Sequence, residues 1–545
     1  MSELRMTRRG FLRSLAAAGG VLAAPSWLRA AERGKGKPSI VLIMADDMGF
    51  SDIGCYGGEI HTPNLDRLAA GGLRFSQFYN TSRCCPTRAS LLTGLYSHQA
   101  GVGHMTANYG VPGYQGFLSD RCVTIAEAIR RGGYRTLMAG KWHVGEAPEM
   151  LPTRRGFDRF YGMPSGGGVY FWPSKFLKRP VYLNDKEHPP PDGWYSTDGF
   201  TDYAIRFVDE ARRDAVPFFL YLAYISPHWP LQAWPKDIAK YRRKYAEGPE
   251  AVRARRYERL VEMGLIDRKW ALSPRDAPDW QSLPAEQRDR MDLKMAVYAA
   301  QIECMDRNIG RLIDKLRELG ILDDTLVMFL SDNGGCAEGG VFGFDRGSKG
   351  QVGTGDSFSS YGQAWANAGN TPFRRYKHWV HEGGIATPLI AHWPAVLRKG
   401  GAITDQVGHC IDLLPTCLDV AGVEYPRNLG GREVTPVEGR SLLPIFHGRQ
   451  RAGHESLFWE HEGNRAVRKG QWKLVAKHGG AWELYDLSAD RTELHDVAGE
   501  RPEKVRELAA LYEAWARRCG VLPWPVKRAA AKATKKSGGG KKAAR

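Results

Sequence analysis

The sequence predicts an α/β protein with a large mixed, mostly parallel sheet flanked by helices, followed by a smaller C-terminal α+β domain with an antiparallel sheet. Three observations carry this reading. Apolar runs of strand length end abruptly in polar residues, as strands buried on both faces do. Amphipathic helical stretches lie between those runs. After Gly448 the pattern changes to short, closely spaced strands and one helix.

Taken in order, residues 1–31 read as a targeting segment. Thr7-Arg8-Arg9-Gly10-Phe11-Leu12-Arg13 precedes a short apolar stretch, Leu15 to Ala24, and small residues follow. A charged start, a short apolar centre and a small-residue exit make a signal peptide, with cleavage expected between Ala24 and Glu32. The paired arginines followed by Phe-Leu resemble a twin-arginine signal. That resemblance implies passage through the twin-arginine export machinery, in folded form, to the periplasm or beyond.

Residues 37–447 form the predicted main domain. Ser39-Ile40-Val41-Leu42-Ile43-Met44-Ala45 ends in Asp46-Asp47, and Arg135-Thr136-Leu137-Met138-Ala139-Gly140 ends in Lys141-Trp142-His143. The run from Pro217 to Tyr224 ends in Ser226-Pro227-His228, and Leu326-Val327-Met328-Phe329-Leu330 ends in Ser331-Asp332-Asn333. Helices are expected from Thr62 to Ala69, from Val123 to Arg131 and from Met291 to Leu319. In open α/β sheets ligands gather beyond the carboxyl ends of the strands. Four strand ends bearing Asp, Lys, His and Asn therefore predict one shared site. Tyr241 to Arg290 reads as a charged, helical surface insertion, and Gly334 to Asn370 as a long loop over the site. Residues 448–526 form the smaller domain, with strands at 466–468, 472–475 and 482–486 and a helix from Pro502 to Arg518. Residues 527–545, rich in Ala, Lys and Gly, read as a disordered basic tail.

Charge and composition exclude several classes. The chain has 545 residues, a formal net charge of +17 and 43% hydrophobic residues, enough for a sizeable core. Twelve of those net charges lie in residues 1–31 and 527–545. The body is thus only mildly basic, which suits anionic substrates and excludes a nucleic-acid-binding core. No apolar run approaches the ~20 residues of a membrane span. Nine cysteines are too sparse for a disulfide scaffold, and their odd number leaves at least one unpaired or chemically used.

Asp46-Asp47 and Asp332-Asn333 offer up to four oxygen ligands, a donor set for Ca²⁺ or Mg²⁺ rather than a softer metal. Adjacent carboxylates repel unless a cation stands near them.

Cys84-Cys85-Pro86-Thr87-Arg88, followed by Leu91-Leu92-Thr93-Gly94, carries the most specific signal. It resembles the C-x-P-x-R…L-x-T-G signature of the type I sulfatases, closest in look to bacterial arylsulfatases, within the alkaline-phosphatase-like superfamily. The resemblance extends over most of residues 38–525. It implies that Cys84 is oxidised to formylglycine (3-oxoalanine) by a formylglycine-generating enzyme. Pro86 and Arg88 at the second and fourth following positions select Cys84 over Cys85. The resemblance further implies one Ca²⁺ per chain, held by Asp46, Asp47, residue 84, Asp332 and Asn333. It gives Lys141 and His143, in Gly140-Lys141-Trp142-His143, catalytic roles, and likewise Arg88, His228 and Lys377. The implied reaction is hydrolysis of an aryl or carbohydrate sulfate monoester through a covalent sulfo-enzyme. Lys377 stands five residues before Glu382-Gly383-Gly384, where many relatives continue Ile-Arg-x-Pro. This chain has Ile385-Ala386-Thr387-Pro388, so an arginine found there in relatives is missing.

Two alternatives remain open at this point. One is a phosphonate or phosphodiester hydrolase on the same scaffold; the other is an inactive protein that binds sulfated glycans. Phe50 to Tyr56, Gly101 to Gly116, Gly166 to Trp194 and Gly334 to Asn370 are the expected pocket walls. Tyr109, Tyr114, Tyr170, Phe171 and Trp172 there would suit an aryl ring or a sugar face.

Overall fold

The computed structural model describes residues 36–346 and 351–528. The expected targeting segment and nearly all of the basic tail lie outside these residues. At the centre is a mixed sheet. Its main strands are β1 (Ser39–Asp46), β2 (Leu73–Tyr79), β3 (Arg135–Lys141), β4 (Arg159–Met163), β5 (Phe218–Pro227), β6 (Thr325–Ser331) and β7 (Ala386–His392). Their order is β2-β7-β6-β1-β5-β3-β4, with short strands added at both edges. β6, β1, β5, β3 and β4 run parallel, while β7 runs antiparallel to both β2 and β6. The four predicted strands are all present, and their apolar runs are buried throughout. Burial on both faces explains why they read as continuous rather than alternating runs.

Helices cover both faces of the sheet. They include α1 (Pro63–Ala70), α2 (Cys84–Thr93), α3 (Ser196–Arg213), α4 (Pro249–Glu262) and α5 (Ala285–Glu318). Asp306 of α5 accepts the backbone N–H groups of Asn64 and Leu65 at 3.1 and 2.8 Å, satisfying orphan donors in the first turn of α1. The segment 241–290, expected as a surface insertion, is instead partly core. Tyr245, Val252 and Leu260 are buried, and Arg256 is wholly enclosed between Asp52 and Glu59. Its high charge content misled because most of those charges are exposed while Arg253 and Arg256, indistinguishable from them in sequence, are buried with their partners. The segment 334–370, expected as a loop, also holds a short helix at Gly362–Gly369 and a two-stranded ribbon.

The C-terminal part forms a four-stranded antiparallel sheet, β8 (Leu457–His461), β9 (Asn464–Lys469), β10 (Trp472–Ala476) and β11 (Glu483–Asp486), covered by α6 (Pro502–Cys519). It is fastened to the main sheet by polar contacts as well as by core packing. The Trp459 indole donates to the Asn80 carbonyl at 2.8 Å. Lys473 lies 2.9 Å from Glu382 and 2.8 Å from Glu493, and Arg491 lies 3.2 Å from Glu382, with all four side chains buried. Glu382 thus receives its cations from the C-terminal sheet and the loop after it, while position 386 is alanine.

Candidate active site

Parallel strands align their carboxyl ends, and the register places the polar termini side by side. Asp46 is opposite Pro227, Ala45 opposite Ser331, and Gly140 opposite Ala223. Asp46-Asp47, Lys141, His143, His228 and Asp332-Asn333 consequently converge on one edge, and all are buried. Lys377 arrives from the connection before β7. Asp47 (φ 66°) and His143 (φ 62°) both occupy the left-handed region, costly for residues other than glycine and characteristic of sites whose surroundings enforce the geometry.

Cys84 is the first residue of α2, a helix buried along its whole length. Its side chain therefore stands at the positive end of a helix. The neighbouring Cys85 thiol, then Lys141 and His143, hold the Cys84 thiol well below its ordinary pKa against the opposing effect of burial. Burial, reinforced by Lys141, keeps His143 neutral down to about 4.

The charged groups interlock. Lys141 Nζ lies 2.6 Å from Asp46 Oδ2, and Lys377 Nζ lies 2.8 Å from Asp47 Oδ2. Arg88 directs Nε and Nη2 at Asp332 Oδ2, 3.2 and 2.7 Å away, and Nη1 at the Lys141 carbonyl at 2.9 Å. Arg88 thus fixes a carboxylate and a strand end at once. His228 Nδ1 is 2.6 Å from the Trp229 carbonyl, so Nδ1 carries the hydrogen and Nε2 turns its lone pair toward Lys377, 3.4 Å away. Burial lowers the His228 pKa, whereas at Lys377 burial is outweighed by Asp47, with Cys336 and Glu338, and the pKa lies well above its usual value.

The carboxylates fit a hard cation. Asp46 Oδ1 and Asn333 Oδ1 are buried and have no hydrogen-bond partner. The Asn333 amide donates to Asp47 Oδ1 at 2.6 Å, which leaves its own oxygen free. Asp332 is pushed well above the carboxylate range by burial and by Asp46. Two orphaned buried oxygens beside crowded carboxylates are what a bound Ca²⁺ or Mg²⁺ would satisfy.

With this geometry in view, the comparisons are consistent. Residues 38–423 match the Sulfatase family, and residues 374–511 match the C-terminal region of N-sulphoglucosamine sulphohydrolase. The chain belongs to the sulfatase family. It is 37% identical to an uncharacterized sulfatase of Schizosaccharomyces pombe over 81% of this chain and 85% of that one. It is 35% identical to an arylsulfatase of Klebsiella aerogenes over 77% and 94% of the two chains. A crystal structure of Ps i-CgsB in complex with k-i-k-neocarrahexaose superposes with a TM-score of 0.66 at 27% identity, covering 88% of this chain and 93% of that chain. The sulfatase described here is accordingly a sulfuric ester hydrolase.

All ten sequence-predicted site residues lie at this one edge of the sulfatase sheet. Tyr170 is fully buried and donates its hydroxyl to the carbonyls of Ile225 and His228, supporting the His228 turn from behind. Tyr114 is also buried. Other residues adjoin the site without having been singled out from sequence. Arg83 pairs with Glu338 at 2.9 Å, and Glu338 also accepts the Trp229 indole N–H at 2.8 Å. His378, next to Lys377, meets His461 and Glu462 of the β8–β9 turn. Arg179 stands beside His143 on the stretch after β4. Position next to Cys84 and Lys377 was the available signal for Arg83 and His378; Arg179 and Glu338 fall inside the expected pocket walls without being singled out there, and nothing local marked Glu462.

Proposed function

We propose that this chain hydrolyses aryl or carbohydrate sulfate monoesters with a formylglycine made from Cys84 and with one Ca²⁺ held by Asp46, Asp47, Asp332 and Asn333. The observation that carries the reading is the placement of Cys84. It stands at a buried helix N-terminus, near Lys141 and His143, at the strand edge that carries Asp46, Asp47, Asp332 and Asn333, where one oxygen each of Asp46 and Asn333 has no hydrogen-bond partner. A formylglycine at this position would supply, as its hydrate, a hydroxyl nucleophile and a second hydroxyl for release of sulfate, and a cation held by Asp46, Asp47, Asp332 and Asn333 would supply the acidification of that hydroxyl.

The side chains divide the remaining work. Lys141 and Lys377 meet charge on the sulfate oxygens, with their ammonium groups pre-oriented by Asp46 and Asp47. Lys377 is also the proton holder at the leaving group, since His228 Nε2 carries a lone pair toward it and stays neutral. His228 orients that ammonium and accepts its hydrogen bond. His143, neutral through the working range, takes a proton at the nucleophile end. Arg88 keeps Asp332 aligned through its two-pronged contact.

Further proposals follow from the sequence rather than from this geometry: maturation by a formylglycine-generating enzyme, and export by a twin-arginine signal within residues 1–31. The test of function is hydrolysis of a chromogenic aryl sulfate beside the matching phosphate and phosphonate esters. The chain is co-expressed with a formylglycine-generating enzyme and compared with Cys84→Ala. Preferential turnover of sulfate, abolished in Cys84→Ala, is the expected result. Preference for a phosphonate or a phosphate diester would keep the nucleophile and overturn the substrate. No turnover despite aldehyde at residue 84 would favour a binding protein for sulfated glycans.

A further inference from the structure

The cations of the site are matched one to one, except for Arg179. Arg83 has Glu338, Arg88 has Asp332, Lys141 has Asp46 and Lys377 has Asp47, each at 2.9 Å or less. Arg179 is half-buried, yet among the described residues no carboxylate forms an ion pair with it. Among the described residues its guanidinium makes one hydrogen bond, from Nη1 to the Gly167 carbonyl, which leaves Nε and Nη2 with donors to spend. Burial, the largest influence on it, lowers its pKa despite the pull of Glu146 and Asp46, as expected for a cation short of counter-charge.

Its location is at the catalytic wall. A Cβ at Gly166 would stand 2.6 Å from Arg179 Nη1 and 3.0 Å from His143 Nε2, so both groups press on the same point of the backbone. A Cβ at Gly167 would stand 3.2 Å from Asp46 Oδ2. Two successive glycines thus keep a bare strip of backbone between a metal-ligand carboxylate, the His143 base and the unpaired guanidinium. Bulk at either position would crowd these three groups.

A scissile sulfate carries a single negative charge. Lys141 and Lys377, the cations assigned to that charge, are themselves paired with Asp46 and Asp47, whereas Arg179 has no carboxylate partner among the described residues and is the cation left for a further anion. We propose that Arg179 binds a second anionic group, a carboxylate or another sulfate, carried on the leaving group of the same substrate. This deepens the sulfatase reading and rests on it: the substrate class becomes a polyanionic sulfate ester, such as a sulfated acidic saccharide, rather than a simple monoanion. The planar fork of arginine suits either oxyanion.

The test is calorimetric binding to the full chain carrying Cys84→Ser, in Ca²⁺, so that no turnover is needed. The probes are phenyl sulfate, the meta and para carboxyphenyl sulfates, and phenylene disulfate. The expected result is that a second anion tightens Kd about tenfold or more. Arg179→Gln should bring the dianions down to the affinity of phenyl sulfate, and Arg179→Lys should restore part of the difference. A gain for the carboxylates alone, or for the disulfate alone, identifies which oxyanion is read. Equal affinity for every probe, a gain that survives Arg179→Gln, or an equal loss for phenyl sulfate and the dianions would overturn the proposal. Because binding here is independent of catalysis, such a failure is distinct from failure of the hydrolysis assay.

Discussion

Lys377 Nζ stands 3.4 Å from His228 Nε2, and the other nitrogen of that imidazole is committed to the Trp229 carbonyl. In the proposed mechanism the proton at the leaving-group end is therefore stored on the lysine. Replacing Lys377 with Met should slow turnover by roughly 10²–10⁴-fold, the usual range for a lost general acid. The loss should grow as the leaving group becomes more basic. Measuring kcat for aryl sulfates of graded phenol pKa checks this. An unchanged slope in Lys377→Met would assign the lysine to charge stabilisation alone.

Asp46 Oδ1 and Asn333 Oδ1 lack partners, while Asp332 is crowded by Asp46, so a bound Ca²⁺ should stabilise the fold as well as serve catalysis. Binding to the folded state alone contributes about 2.7 kcal/mol when free ion is a hundredfold above Kd. Dialysis against a chelator should lower the thermal midpoint, and returning Ca²⁺ should restore it. Asn333→Ala should blunt that response. A midpoint indifferent to Ca²⁺ across a wide concentration range would argue against the site.

In the proposed mechanism the pH dependence follows from His143, whose neutral form is the base. Burial holds its pKa at about 4, so the base remains available as pH falls through the ordinary histidine range. Activity that depends on His143 should be lost only as pH falls through about 4. A kcat/KM profile with an acid limb at 6.5 that disappears in His143→Asn would contradict this.

Acid stability has a separate source at His409, which is wholly buried, with burial lowering its pKa to about 3. The unfolded chain takes up that proton from 6.5 downward while the folded chain does not. Stability should therefore decline as pH falls from 6.5 toward 3. Replacing His409 with Asn should flatten the change in urea midpoint over that interval. A slope equal to that of the unaltered chain would place the acid sensitivity elsewhere.

Much of this arrangement was legible from the sequence, for identifiable reasons. Strands buried on both faces leave continuous apolar runs, so β1, β3, β5 and β6 announced themselves, and their terminal residues became site candidates together. Cys84 was marked by its motif. What escaped was long-range and electrostatic. Glu338 sits in a glycine-rich stretch with no periodicity, yet it pairs with Arg83, 255 residues earlier in the chain. Arg256 read as a surface charge because burial of an ion pair leaves no local signature. Tyr170 read as a pocket wall because an aromatic in a loop looks the same whether it faces a ligand or supports a turn from behind.

The buried cluster joining the two sheets yields the last prediction. Lys473 lies 2.9 Å from Glu382 and 2.8 Å from Glu493, and none of the three side chains reaches solvent. Lys473, Arg491 and Arg468 together outweigh burial and hold the Glu382 carboxyl at about 2. Its contribution to stability is thus full above about pH 4.5 and is lost as pH falls toward 2. Removing one partner of a buried pair leaves an uncompensated charge, at a cost of about 3–5 kcal/mol. Lys473→Met should therefore destabilise the chain by about that amount at neutral pH, measured by urea unfolding. Adding Glu493→Gln should return part of the loss, because it removes the carboxylate left without its cation. Strictly additive losses in the double variant would mean that the pair is not coupled. A loss below about 1 kcal/mol for Lys473→Met would mean that apolar contacts, such as those around Trp459, carry the attachment without this network.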